Sequence, residues 1–496
     1  MKTRFLVLAL PVLLVLLGWQ ERSAAQCAPN GHIFNLESLT DASLSGQSRE
    51  SVALLPNRAG QGDDLVYGAA LDPRPFDVLT LNEAFYVQRA TSDCAAAFDG
   101  GIPPIGSFKQ LGSPAVAADP AHDQFFVADL RFQANPDVSA IGVLRATATR
   151  LLNPSDCPNG TIQNPLTCFE PAAALIDQEP LNVFQFSPAI AVDQRASGTG
   201  NGDVYVAYSE IKNSIPQIGL AACTSLLHCG SPIFLSVAKN DADTSVWIQV
   251  RADGLITLSY QDLVPSNGLV FPQYSFVTCT PHGAPNPPTC GNPVLVAQPQ
   301  NPPLRSVGET AVNPGQQATH VNRLESDGKT FTTFLAYQAC DVPSVPLGFC
   351  PKVSVFMNFS TDGGKTWSLA EKVSASPGQQ FQSSMALDAS TQTVNIAYYS
   401  TEKDPQKRRT QIFLSQILPG TTFAALPHQL TSIFFDRFFE SFGASDGYGG
   451  LSVAAAGTGN AGQSKVYVHY TGSTVNGSYN GLGFPIITNT LTRFAY

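Results

Sequence analysis

Along most of the chain, apolar and polar residues alternate in short runs broken by Gly, Pro, Asn and Asp. A period of two predicts β-strands joined by tight turns, and the 3.6-residue period of a helix is nearly absent. One phrase returns with small changes: an alternating strand, a polar turn that often contains Asp, then a second strand that often ends in Ala-Tyr. Clear copies run from Ser113 to Asp119 with Phe125 to Asp129, and from Ser187 to Asp193 with Val204 to Tyr208. Later copies end at Tyr260, Tyr337, Tyr398 and Tyr470, and a fainter one spans Ser51 to Leu55 with Leu65 to Ala69. The copies recur about every 68 residues, a period long enough for a repeated supersecondary unit.

Each unit has room for four short strands, because further β-rich runs follow the pair, such as Ala140 to Ala146, Pro232 to Ala238 and Lys352 to Phe359. Four-stranded units repeated along a chain predict an all-β fold, a β-propeller of seven four-stranded blades, or six if the faint first copy is not a blade. Small residues in the first strands (Ala115, Ala117, Ala189, Ala191, Ala454) suit the innermost position, where the axis is crowded. The last unit is one strand short, so His32 to Leu36 is expected to complete it and close residues 26–496 into a single domain. Asn153 to Gln178 and Leu263 to Tyr274 are expected to be surface loops.

Met1 to Ala25 reads as a secretory signal: Lys2 and Arg4 precede an apolar run from Phe5 to Leu17, and Ser23-Ala24-Ala25 offers a cleavage site. The expected product is secreted, extracellular or periplasmic, without membrane insertion. Only 13% of residues are charged, and the mature chain would carry 25 basic against 37 acidic side chains. A net negative surface disfavours nucleic acid as a partner. Ten cysteines in an exported chain favour disulfides. The expected pairs are Cys157 with Cys168, Cys223 with Cys229, Cys279 with Cys290, Cys340 with Cys350 and Cys27 with Cys94. No zinc-ligand spacing is present, so no metal or other cofactor is expected, apart from structural calcium at acidic loops such as Gly62-Asp63-Asp64 and Asn240 to Asp243. Asn159, Asn358 and Asn476 begin glycosylation sequons.

Ser360-Thr361-Asp362-Gly363-Gly364-Lys365-Thr366-Trp367 fits the Asp-box pattern Ser/Thr-x-Asp-x-Gly-x-x-Trp, and Thr91-Ser92-Asp93-Cys94 followed by Phe98 is a degraded second copy. On these residues the chain resembles the sialidase-like, BNR-repeat β-propellers. The resemblance implies that Ser360, Asp362, Gly364 and Trp367 form a structural turn between third and fourth strands, on the face opposite the functional mouth. Asp119, Asp193, Asp253, Asp327 and Asp388 belong to turns on that same structural face. The mouth should then be lined where second strands end, by Asp129, Arg131, Tyr208, Glu210, Tyr260, Asp262, Tyr337, Gln338, Tyr398, Tyr399, Glu402, Asp446 and Tyr448.

Two functions follow as expectations. One is a binding module whose mouth holds a glycan or an extracellular protein. The other is an exo-sialidase-like glycoside hydrolase, which in the resembled family uses three arginines on the substrate carboxylate, a Tyr assisted by a Glu, and an Asp as acid/base. The family's Arg-Ile-Pro signature is missing, since Arg49-Glu50-Ser51 keeps only the Arg. The binding reading is therefore preferred, and no catalytic residue is assigned. It predicts that Tyr398→Ala or Glu402→Ala weakens binding without loss of stability.

Overall fold

The computed structural model describes residues 33–37, 48–56, 64–72, 82–90, 98–153, 155, 157, 168–180, 182–213, 215–235, 244–266, 269–299, 318–341, 352–406, 409–425, 427–431, 435–436, 451–457, 464–479 and 482–495. The described strands fall into seven antiparallel sheets. The second sheet is typical: Lys109–Asp119, Gln124–Ala134, Asp137–Thr147 and Phe169–Pro180 pair in that order, each strand beside its sequence neighbour. The third repeats it with Phe184–Val192, Val204–Lys212, Ile215–Cys223 and Ile233–Leu235. The first strands of the seven sheets pack each against the next, and Leu451–Gly457 of the last packs against Ser48–Leu55 of the first. That is a β-propeller.

The inner strands are linked by hydrogen bonds as well as by packing. Val116 N–H donates to Ser51 Oγ at 2.9 Å, Val52 N–H to Ser452 Oγ at 3.2 Å, and Asn322 N–H to Gln249 Oε1 at 3.3 Å. In the last sheet, Ile33–Glu37 pairs antiparallel with Leu482–Ala495, Asn35 opposite Thr492, so both ends of the chain share one sheet. The core lies between sheets. Phe126, Ala128 and Val143 meet Val204, Val206 and Tyr208 in one such layer, and Val246, Ile248 and Leu258 meet Tyr205, Ala207 and Leu220 in the next. Alternation along each strand sends successive side chains to opposite neighbours, so both faces are apolar.

Both expected loops contain strand among their described residues. Phe169–Pro180 is the outermost strand of the second sheet, and Ile256–Ser266 with Leu269–Thr280 make one long hairpin through the region read as a loop. The second strands also run past the points where they were expected to end, because alternation continues: Leu130-Arg131-Phe132-Gln133 extends the second sheet to Ala134. Among the described residues, helix is confined to short turns such as the five residues Ala148–Leu152. Disulfides join Cys157 to Cys168, Cys223 to Cys229 and Cys279 to Cys290. Cys340 is disulfide-bonded, while Cys27, Cys94 and Cys350 lie outside the described residues. Among the described residues no helix is long and apolar enough to cross a membrane.

Candidate functional site

Strand direction assigns the two faces of the wheel. Five of the seven first strands run into an Asp turn, and the third strands end on the same face. Asp119, Asp193, Asp253, Asp327 and Asp388 accept backbone N–H bonds there, for example Ser390 N–H to Asp388 at 2.9 Å and Thr330 N–H to Asp327 at 2.8 Å. The Asp box sits between Val353–Ser360 and Glu371–Lys372, also on this face. Asp362 accepts from Lys365 and Thr366 N–H at 3.0 and 2.9 Å, from Thr366 Oγ1 at 2.6 Å and from Ser360 Oγ at 2.8 Å. The Thr366 bonds lead in holding its carboxyl down to about 2. Gly363 and Gly364 turn with φ 77 and 87, and Trp367 packs edge-on against Phe276 of the adjacent sheet at 5.2 Å. These groups are committed to the turn.

On the opposite face, the residues expected at the mouth are mostly inside the wall. Tyr208, Tyr260, Tyr337, Tyr398 and Tyr399 are buried between sheets. Tyr337 lies 4.4 Å from Tyr274, Tyr399 stacks on Phe381, and the Tyr398 hydroxyl meets Ser415 Oγ at 3.1 Å. Their strands continue outward or fold over them, so they fill inter-sheet space instead of lining a rim. The expectation that Tyr398→Ala spares stability is corrected accordingly. Asp129 and Arg131 form a fully buried ion pair, and Arg131 also donates to the Pro103 carbonyl at 2.7 Å. Gly142 leaves the space they occupy, since a Cβ there would collide with both side chains. Asp262 accepts from Ser275 Oγ at 2.6 Å, Gln338 Oε1 accepts from Gln382 N–H at 3.1 Å, and Glu402 is half-buried in a turn beside Lys403. Asp446 and Tyr448 lie outside the described residues, as does most of the acidic-loop segments near 62 and 240. Asn358 is buried and donates to the Ser368 carbonyl at 2.6 Å, so its sequon is closed to a glycan.

One cluster on this face is assembled from two sheets. Asp177 and Glu179, on the outermost strand of the second sheet, face Glu210 on the middle of the third, and one oxygen from each lies within 4.8 Å of the others. Register places Gln185 and Gln217 opposite Glu210 on its two neighbouring strands. Gln217 Nε2 donates to Glu210 Oε1 at 2.7 Å, and Gln185 Nε2 donates to Asp177 Oδ2 at 2.9 Å and to its carbonyl at 2.6 Å. Deeper in the seam, Tyr208 O–H donates to Asp177 Oδ2 at 2.6 Å; nearer solvent, Lys212 Nζ meets Glu179 at 2.5 Å. Gly219 has no side chain to block Tyr208. Glu210 Oε2 is fully buried, faces Asp177 and meets no donor. Burial first, then the Asp177 contact, pushes its carboxyl up to about 7. Burial and the nearby carboxylates push the Tyr208 hydroxyl up as well.

Beside this seam the inner strand offers an apolar step. Phe184 is 59% exposed and its ring lies 5.6 Å from that of Phe186. Phe184 and Gln185 are consecutive, so the rings and the carboxylates occupy opposite sides of one strand end. Of the cluster, only Tyr208 and Glu210 were among the sequence candidates. Asp177 was assigned to a loop, Glu179 lay just past that loop's end, and Phe184 lay just before the repeated phrase.

No protein-family model matches the sequence, and no curated protein matches it. Among solved structures, the chain is similar to an ulvan lyase of polysaccharide lyase family 25, with 11% identity, 92% of this chain and 95% of that chain covered, and a TM-score of 0.46. It is also similar to the GH93 α-L-arabinofuranosidase of Fusarium graminearum, with 10% identity, 78% and 98% covered, and a TM-score of 0.43. A Hadza microbial sialidase gives 11% identity, 87% and 76% covered, and a TM-score of 0.39. At such identities and scores no chemistry carries over; the propeller rests on this chain's own strand order.

Proposed function

We propose that the protein is an exported propeller that binds a glycan at the face opposite the Asp turns, between the Phe184 step and the Asp177–Glu179–Glu210 seam. The carrying observation is exposed Phe184, packed on half-buried Phe186, at a strand end whose other side faces the carboxylates. An aromatic face takes the apolar side of a sugar ring, while the partly exposed carboxylates of Asp177 and Glu179 accept from hydroxyls. Internal commitment of the cations supports binding over sialidase-type cleavage. Every arginine whose side chain is described donates to an acceptor of the chain itself: Arg131, Arg145, Arg150, Arg195, Arg251, Arg323 and Arg409. An extracellular protein ligand is the other occupant of the same face.

A second reading is glycoside hydrolysis by two carboxyls, favoured by the convergence of Asp177, Glu179 and Glu210 and by the burial and Asp177 contact that push the Glu210 carboxyl up. Environments that keep one carboxyl protonated beside an ionised one suit an acid/base pair. A glycan array run beside a panel of fluorogenic glycosides separates the readings. Binding without turnover, weakened about tenfold by Phe184→Ala at an unchanged melting temperature, is the expected result. Turnover lost in Glu210→Gln would support hydrolysis, and absence of both would remove the glycan.

A further inference from the structure

The geometry points to a calcium site formed by Asp177, Glu179, Glu210 and the Gln185 side-chain carbonyl, joining the outermost strand of the second sheet to the third sheet. Three carboxylates converge there, and among the described residues the ion pair at this place is Lys212 with Glu179, at the solvent side. The remaining donors are Tyr208 and Gln185 to Asp177 and Gln217 to Glu210. They leave Glu210 Oε2 without a partner in a position closed to water. Gln185 is 1% exposed, and its Oε1 also meets no donor, although its amide nitrogen touches Asp177. An orphaned carboxylate oxygen on Glu210 and an orphaned amide oxygen on its register partner Gln185 ask for a cation, because a buried acceptor without a partner carries its full desolvation cost.

The donor set selects the ion. All four groups offer oxygen, with neither thiolate nor imidazole, which favours a hard cation over zinc or copper. Carboxylate oxygens within 4.8 Å of one another fit a shell of Ca–O bonds of about 2.4 Å, whose diameter is twice that length, whereas magnesium needs a tighter octahedron. Asp177 has φ 52, a left-handed conformation that turns this residue within its strand. Because the ligands come from two sheets, no linear calcium motif marks them. The inference does not rest on the glycan reading.

The test uses the purified full-length protein stripped with EDTA and titrated with CaCl2, read by thermal melting and calorimetry. Terbium supplies a second signal, since Tyr208 lies one hydrogen bond from a ligand and can sensitise its emission. Calcium is expected to raise the melting temperature by several degrees, as a ligand of the folded state does. Glu179→Gln, at the solvent side, should keep the melting temperature of the stripped protein while weakening calcium about tenfold, because affinity follows ligand charge. Glu210→Gln should abolish the shift and the terbium signal. No calcium-dependent shift or heat in the wild type overturns the site, and so does undiminished affinity in both variants.

Discussion

His320 shows how much one residue is shaped by its seam. It is fully buried on the inner strand Thr319–Leu324, with Nε2 at 2.8 Å from Thr257 Oγ1 and Nδ1 at 2.8 Å from Ser259 Oγ of the neighbouring sheet. Burial pushes its pKa down to about 3. The folded state therefore holds the ring neutral, whereas the unfolded chain protonates it near its ordinary 6.5. Its contribution is complete above that ordinary value and falls away as pH drops from 6.5 toward 3, costing about 2 kcal/mol by pH 5. Urea unfolding at pH 7.5 and pH 5 should show a smaller loss of stability in His320→Gln than in wild type; equal losses would show that the imidazole is not the source. Residue identity alone could not reveal this. The second-strand tyrosines other than Tyr208 fall away from the candidate site for the same reason: their recurrence was visible, but only the packed neighbours show that the side chains are enclosed.

Among elements, the first strands share a device that apolar alternation does not encode. Register shifts between Gly112 and Ala115, Phe186 and Ala189, Thr244 and Trp247, and Phe381 and Ser384. At each shift one residue is left-handed: Ser113, Ser187, Ser245 and Gln382, with φ from 51 to 62. A bulge inserts an extra residue and bends the strand, which places the bend toward the mouth end of each first strand. Serine tolerates this conformation poorly and a β-branched residue worse, so Ser187→Val should lower stability by about 1–2 kcal/mol while Ser187→Gly leaves it equal or higher. Denaturant midpoints decide, and a Gly variant as damaged as Val would mean that the hydroxyl matters more than the backbone. Ser-Pro at 113 and 187 was legible as a repeated opening, yet its left-handed geometry was not. The expected loops failed at this scale as well: Phe169–Pro180 contains Pro171 and carries Glu170, Asp177 and Glu179 on a partly exposed edge, which resembles a connection when read without its partner strand.

For the whole molecule, repetition was the readable signal. Four-stranded units announce themselves because every unit must bury two apolar faces against neighbours, and that requirement repeats with the unit. The Asp turns were equally legible, since an Asp that caps its own turn needs only local sequence. The acidic seam was not, because Asp177 and Glu179 approach Glu210 only after the second and third sheets stack. A functional mouth in a propeller is built across units, and sequence distance hides it. The same stacking explains why no family pattern locates the cluster.

A ring whose two chain ends share a sheet can be tested directly at that seam. Asn35 and Thr492 are register partners in the strand pair that joins Ile33–Glu37 to Leu482–Ala495. Replacing both with cysteine and oxidising the folded protein should give one new intramolecular disulfide between positions 35 and 492, found by peptide mass mapping, together with a higher melting temperature. Failure of the two positions to cross-link, with the singly substituted proteins folding normally, would contradict closure of the wheel by its N-terminal strand.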